Sequence, residues 1–500
     1  MKLIILCALF APIIYLSFRQ KKWYLYLLFA FFGILPEQFS IRLHDSLPLL
    51  SATRILILIV MGFWLYKKWK TKKFQCPKSL LLYLIVNVII SLVNLRYGKD
   101  DINRIFLLIF ERGLLVVMAM DMIDDREEFL RCIDFAIMGC AALAVIGIAQ
   151  TVFDYDISTV LHLTKTFSSI QLSQRMDLVR AFGTFNAISY GCYCAFMSLL
   201  IVYRLYNTKN IWHSAAFALN FVALICTFTR SAWLCLAAIA FVALLLLRLK
   251  LIRRILPSVA MILALLVVLC CFQPKLYKAF VNTGKSSINT VLQVLPEEWF
   301  SKKPSTNTPV NTNPSEDAEQ TEPTEPIEIE KPGFELDENF GTNASDPAYS
   351  RNAQWTAIEY MTQEGQLLFG YGYNALILGR IHFFFDRWAA KWQPTTFLDV
   401  GLVALLTECG LIGAISYMSL LGYMLVCAFM KKRSLKDGNL DFSWLTIFMI
   451  PLYLLMNYLA AFLSAHIVWI FIGLFFVYQK LSNEKKSQDS SLPPLEEQPT

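Results

Sequence analysis

Apolar stretches long enough to cross roughly 30 Å of hydrocarbon as α-helices recur from residue 3 to residue 479, and nothing else in the sequence limits the fold as strongly. Inside hydrocarbon every backbone N–H and C=O needs a partner, so the choice is between helices and a closed β-barrel. No alternating strand pattern occurs, which excludes the barrel. The stretches lie near 3–18, 23–36, 48–66, 79–95, 103–120, 132–153, 186–205, 211–229, 231–248, 252–272, 400–430, 442–461 and 466–479. With 56% hydrophobic and 17% charged residues, the 500-residue chain has too little polar surface to coat a soluble globule. The expected class is all-α: a polytopic helical membrane protein of about 12–13 transmembrane helices, with one large external loop containing short helices.

Lysine and arginine mark the orientation. They cluster at Arg19, Lys21 and Lys22, from Lys67 to Lys78, from Arg248 to Arg254, from Lys431 to Lys436, and at Lys480, Lys485 and Lys486, alternating with poorer loops. Basic loops face the cytoplasm, which puts the amino terminus outside, the carboxyl terminus inside and the loop 273–396 outside. Asp121 to Arg131 falls on the cytoplasmic side although it is mostly acidic, and acidic residues weigh little in this rule. The formal charge of +7 follows from this orientation, so no nucleic-acid partner is expected.

The resulting organisation is a membrane body over 1–272, an external loop over 273–396, C-terminal transmembrane helices over 397–481 and a disordered cytoplasmic tail over 482–500. Leu3 to Phe18 precedes its basic cluster instead of following it, so it is expected to be a retained span. Within the loop, 301–333 has no aromatic residue between Phe300 and Phe334, is rich in Pro, Thr, Asn and Glu, and is expected to be a disordered insert. None of the 12 cysteines falls in the loop, and their spacing suits packing better than a disulfide framework or a thiolate metal site. No P-loop, HExxH pattern or dinucleotide fingerprint has a supporting context, so neither cofactor nor metal is expected.

What remains is a set of charged residues at the predicted outer face. The run 211–248 is too long for one crossing and contains neither Gly nor Pro. It must fold back near Thr229-Arg230-Ser231, which puts Arg230 at the outer rim, either snorkelling to the interface or serving a site. Arg180 precedes a Gly-Thr turn entering the next span. Asp346-Pro347 suits a helix start, and Arg351, Trp355 and Ile358 then share a face of a helix ending near Thr362 before Gly365. Arg351 faces a carboxylate or phosphate, or stacks on Trp355. Ile381 to Trp392 interleaves aromatics with His382, Asp386, Arg387 and Lys391, as an interfacial helix or lid would. Glu111 and Arg112, deep in the fifth span, are expected to form an intramembrane ion pair. Guanidiniums bind phosphate oxygens bidentately and stay charged when desolvated, so Arg180, Arg230 and Arg351 suit a diphosphate, and in a membrane body that implies a lipid-linked donor.

Five patches, in order, give the chain a resemblance over roughly Met122 to Leu421: RAFGTFN from Arg180, the Thr-Arg-Ser run at Arg230, SRNAQW with Arg351, LLFGYGYN around Gly370, and Glu408-Cys-Gly410-Leu-Ile-Gly413. Together they resemble the bacterial O-antigen ligase and polymerase family. The resemblance implies transfer of a glycan from an undecaprenyl-diphosphate-linked oligosaccharide to a glycan or lipid-glycan acceptor, at the outer face of the cell membrane, with the arginines on the diphosphate. In the ligase branch a His-Asn pair stands where this chain has Asp399-Val400. That departure points to a polymerase or related surface-glycan transferase, with Asp399 or His382 as base, though His382 also lies among Phe383, Phe384 and Phe385 and suits interfacial packing. The competing class is a lipid-linked glycan flippase or transporter, which should show inverted repeats, and none is evident.

Overall fold

The computed structural model describes residues 22–31, 50–68, 76–98, 100–153, 178–182, 187–283, 361–373, 400–431, 440–459 and 466–491, with isolated short pieces elsewhere. Its helices are α1 (Trp23–Phe31), α2 (Ala52–Lys68), α3 (Lys78–Asn94), α4 (Asp100–Phe106), α5 (Leu114–Met122) and α6 (Arg126–Val152). There follow α7 (Ala187–Asn207), α8 (Ile211–Cys226), α9 (Arg230–Phe272), α10 (Gly401–Lys431), α11 (Phe442–Leu459) and α12 (His466–Ser491). A π-helical segment, Leu107–Gly113, joins α4 to α5. Six described helical segments are long and apolar enough to cross a membrane, and the shorter Ala52–Tyr66, Ile211–Cys226 and Phe442–Tyr458 are also apolar. The chain is an all-α polytopic membrane protein. The expected first span, 3–18, lies outside the described residues.

Among the described residues strand is confined to connections. β1 (Ser40–Ile41) pairs with β2 (Leu50–Ser51), β3 (Gln174–Arg175) with β4 (Leu178–Val179), and β5 (Phe384–Asp386) with β6 (Lys391–Gln393), all antiparallel. The last ladder falls within Ile381 to Trp392, where an interfacial helix or a lid is expected, and its described residues are strand and not helix. Phe384, Phe385 and Trp392 are residues that favour a pleated pairing over a helix.

Where α6 and α11 begin, the packing is aromatic and tightly interlocked. Phe442 of α11 is fully buried and meets Phe129 of α6, Tyr203 of α7 and both Phe471 and Tyr478 of α12, with ring centroids 5.1 to 5.9 Å apart. Lipid is as apolar as leucine, so polar groups supply part of the adhesion between helices. Asn220 of α8 donates to Cys194 O at 2.8 Å and Ser198 Oγ at 2.9 Å on α7, and accepts from Cys140 Sγ on α6 at 3.0 Å.

Ion pairs gather at one end of the bundle. Asp121 accepts from Trp64 Nε1 at 2.8 Å and pairs with Lys68; Glu128 pairs with Lys22, and Lys480 lies 3.4 Å from Asp124. The acidic segment that runs against the basic pattern is thus neutralised by lysines of three neighbouring basic segments. Burial lowers the Lys22 ammonium pKa, but the hydrogen bond and charge of Glu128, with Asp124 and Asp125, outweigh it and leave it raised. Its stabilising contribution is full below its ordinary value and is lost only as pH rises through that raised pKa.

At the opposite end Phe182 N–H donates to Gln150 Oε1, Ala181 N–H donates to Cys226 O, and Gln273 Nε2 donates to Val152 O. This last contact settles the course of α9. Its 43 residues would span about 65 Å as one straight helix, yet the rings of Phe280 and Phe228 lie with centroids 5.5 Å apart. Eight residues after Phe272 cannot return that distance, so the chain doubles back within α9. Its apolar segments Arg230–Leu247 and Leu251–Phe272 flank the basic 248–250. At the other terminus α12 runs on to Ser491, past the expected end of the last span at 479.

Candidate functional site

The α8–α9 turn is built on Phe228, whose φ of 51° is the one left-handed non-glycine conformation among the described residues. Such a conformation costs a side-chain-bearing residue about 1–2 kcal/mol. Burial of the ring, 1% exposed, against Phe280 offsets it. This explains how the hairpin closes with neither Gly nor Pro. Arg180 fastens the turn: its Nε donates to Thr227 O at 2.7 Å and its Nη2 to Thr229 Oγ1 at 3.0 Å. Thr229 is the N-cap of α9 and Arg230 its first residue. The structure therefore brings Arg180 to the residue beside Arg230, both half-buried.

The segment 361–373 of the loop that precedes α10 is seated on a break in that helix. A helix ending at Gln363 stops in a Schellman motif, with Gly365 at φ 67°, Gln366 N–H donating to Met361 O at 2.8 Å and Gly365 N–H donating to Thr362 O at 3.2 Å. Ten residues into α10, Gly410 adopts φ 64° and ψ −174°, which severs the helical bonds from Leu411 N–H to Thr407 O and from Ile412 N–H to Glu408 O. The loop replaces both. Leu411 and Ile412 donate to Leu367 O at 2.8 Å and Leu368 O at 3.2 Å, while Tyr371 and Gly372 donate to Thr407 O at 2.8 Å and Glu408 O at 3.2 Å. Backbone lies on backbone here, and only glycine permits it: a Cβ on Gly370 would stand 2.6 Å from Gly410 N, and one on Gly410 would collide with Leu368 O. The LLFGYGYN and Glu-Cys-Gly patches are thus two sides of one joint.

Polar side chains from α3 and α4 pin the joint from below. Asn94 Nδ2 donates to Phe369 O at 2.9 Å, and Asp101 Oδ1 accepts from Tyr373 N–H at 3.1 Å. The Arg104 guanidinium, 4% exposed, donates to Glu408 O at 3.0 Å, to Asn87 Oδ1 at 3.3 Å and to Cys409 Sγ. Met361, Tyr371, Val400 and Val403 form a small apolar cluster beside it. Val400, 1% exposed, directly follows Asp399.

Beneath the joint lies a charged layer that differs from expectation. Glu111 does not pair with Arg112; its Oε1 accepts from Arg54 Nε at 2.5 Å, with the two side chains 4% and 19% exposed. Arg112 instead lies 5.3 Å over the Trp469 ring and donates to Tyr83 OH at 3.3 Å. Consecutive residues point about 100° apart on a helix, so adjacent charges cannot share a face; the π-helical segment that carries both aims them at different neighbours. Burial, then the Glu408 carboxylate, pushes the Tyr373 phenol up, with Arg54 and Arg112 pulling it down.

Of the sequence-derived site residues, Arg180 and Arg230 are brought together, whereas Arg351, His382 and Asp399 lie outside the described residues. Arg54 and Arg104 were not singled out from the sequence, although a cation inside an apolar run is itself a signal of function or of a buried partner. Among the described residues no group of three or more His, Cys, Asp or Glu is placed to hold a metal. Residues 215–418 match the family model described as O-antigen ligase. No curated protein and no solved structure matches the chain.

Proposed function

We propose that this chain, which carries the O-antigen ligase family domain over residues 215–418 and with it the family's glycan-transfer role, is a surface-polysaccharide polymerase or ligase using an undecaprenyl-diphosphate-linked donor. The observation that supports this most is the Arg180–Thr227–Thr229–Arg230 corner, which sits at the bundle end that also carries the docked loop. Two guanidiniums at a helix N-terminus suit a diphosphate leaving group and hold their charge when desolvated.

In the proposed reaction an acceptor hydroxyl oxygen attacks the anomeric carbon, the bond from that carbon to the diphosphate oxygen breaks, and the electron pair leaves with undecaprenyl diphosphate. Asp399 accepts the hydroxyl proton, with His382 as the other candidate, and Arg180, Arg230 and Arg351 stabilise the departing charge. The large loop and this site face outward, and the carboxyl terminus faces the cytoplasm. Removing the gene and sizing both the surface polysaccharide and the lipid-linked intermediates tests the reading. Accumulated single repeats indicate a polymerase and long lipid-linked chains a ligase, while unchanged pools of both would refute glycan transfer.

A further inference from the structure

At the bundle end away from the arginine corner, a cavity of about 560 Å³ opens between α3, α5, α10 and α12. Its volume falls within the range of small-ligand sites, about 300–1,000 Å³. One wall is apolar, made by Met120, Tyr423 and Phe476, with the last two rings stacked 6.5 Å apart. The other is polar and carries Lys78, Ser79, Gln479 and Lys480.

Two buried donors there have no hydrogen-bond partner, Ser79 Oγ and Gln479 Nε2. Both are donors to an anion. The cavity also meets the start of the 17-residue α3, whose N-cap is Pro77 with no side-chain cap, so the first N–H groups of that helix offer their positive end to it. Lys78 is exposed beside them. Lys480 is partly engaged, donating to Met120 O at 3.0 Å and lying 3.4 Å from Asp124, and Glu484 is the one carboxylate in the lining. Positive groups and unpaired donors outweigh it.

What lies next to the cavity identifies the occupant. From Lys78 an exposed apolar stripe runs along α3 through Leu82, Ile85, Ile89 and Leu92, and from Tyr423 a second runs back along the antiparallel α10 through Ile415 and Leu411, so that both lead away from the cavity in the same direction. A soluble phosphate would leave these stripes unused. A phospholipid has its phosphate and its chains at this spacing. We propose that the cavity binds the phosphate headgroup of an anionic phospholipid, with Lys78, Ser79, Gln479 and the α3 N-terminus on the phosphate and the acyl chains along the α3 and α10 stripes. The site is independent of the glycan-transfer reading.

The test uses the full-length protein in an equimolar mixture of phosphatidylglycerol and phosphatidylcholine, with retained lipid counted by native mass spectrometry. Wild type should retain phosphatidylglycerol selectively. Lys78→Glu combined with Ser79→Leu should lower that retention about fivefold or more, since each cation near a headgroup is worth about that factor. Lys209→Glu, a charge reversal at the same end on a loop away from the cavity, should leave it unchanged. Gln479→Leu alone, which removes one donor and keeps the helix, supplies the reading if the double variant does not fold. Equal retention in the cavity variants and wild type overturns the proposal, as does stabilisation by inorganic phosphate alone matching that by phosphatidylglycerol.

Discussion

Gly410 shows how much rests on one missing side chain. Its backbone sits at φ 64° and its Cα faces Leu368 O, so Gly410→Ala meets a left-handed penalty of about 1–2 kcal/mol and a steric clash that only undocking the loop relieves. The expected result is a clear fall in thermal midpoint together with loss of transfer. Gly422, in the same helix with open space around it, is the control: Gly422→Ala should be neutral or stabilising by about 0.5–1 kcal/mol. Equal effects at the two positions would mean that the joint contributes nothing. The proton acceptor is also decided at single residues. With purified protein and a lipid-linked donor, Asp399→Asn should greatly lower turnover while donor binding persists, and His382→Gln should not. The reverse pattern moves the role to His382, and two active variants leave the reaction to positioning and charge.

At the scale of elements, the charged layer under the joint is held by a pair between α2 and the π-helical segment. Breaking a buried pair strands one charge and costs about 3–5 kcal/mol, whereas replacing both partners by apolar groups is often neutral. Glu111→Leu should therefore reduce the thermal midpoint or the folded yield sharply, and Arg54→Leu combined with Glu111→Leu should restore much of it. An additive double variant would show that the two side chains are uncoupled. The sequence alone leads to the α8–α9 reversal, because run length forces a fold-back. It does not lead to Phe228 as the pivot, since a buried ring rewarding a left-handed turn leaves no local mark. The glycine patches are likewise legible one by one, yet their docking is not: the exchanged hydrogen bonds are backbone to backbone, and no side-chain pattern encodes them. Glu111 and Arg112 mislead because adjacency in sequence suggests a pair that helical geometry forbids.

For the whole molecule, the alternation of basic loops matches the way the ends are arranged. Lys22, Lys68 and Lys480 meet at one end around the acidic segment, and Arg180, Arg230 and the docked loop lie at the other. Which end faces outward is tested by Asn311→Cys in a background with Cys76, Cys270 and Cys271 replaced, the native thiols that are not buried among the described residues. An impermeant maleimide should label intact cells, and labelling only after lysis would reverse the orientation. The central claim is that a lipid-linked diphosphate is held by arginine fork geometry at the α8–α9 corner. Release of undecaprenyl diphosphate from a lipid-linked oligosaccharide, followed in purified protein, tests it most directly. Arg230→Lys keeps the charge and loses the bidentate contact, so turnover should fall about tenfold or more, the equivalent of about 1.4 kcal/mol, with the protein still folded. Full activity of Arg230→Ala would contradict the claim.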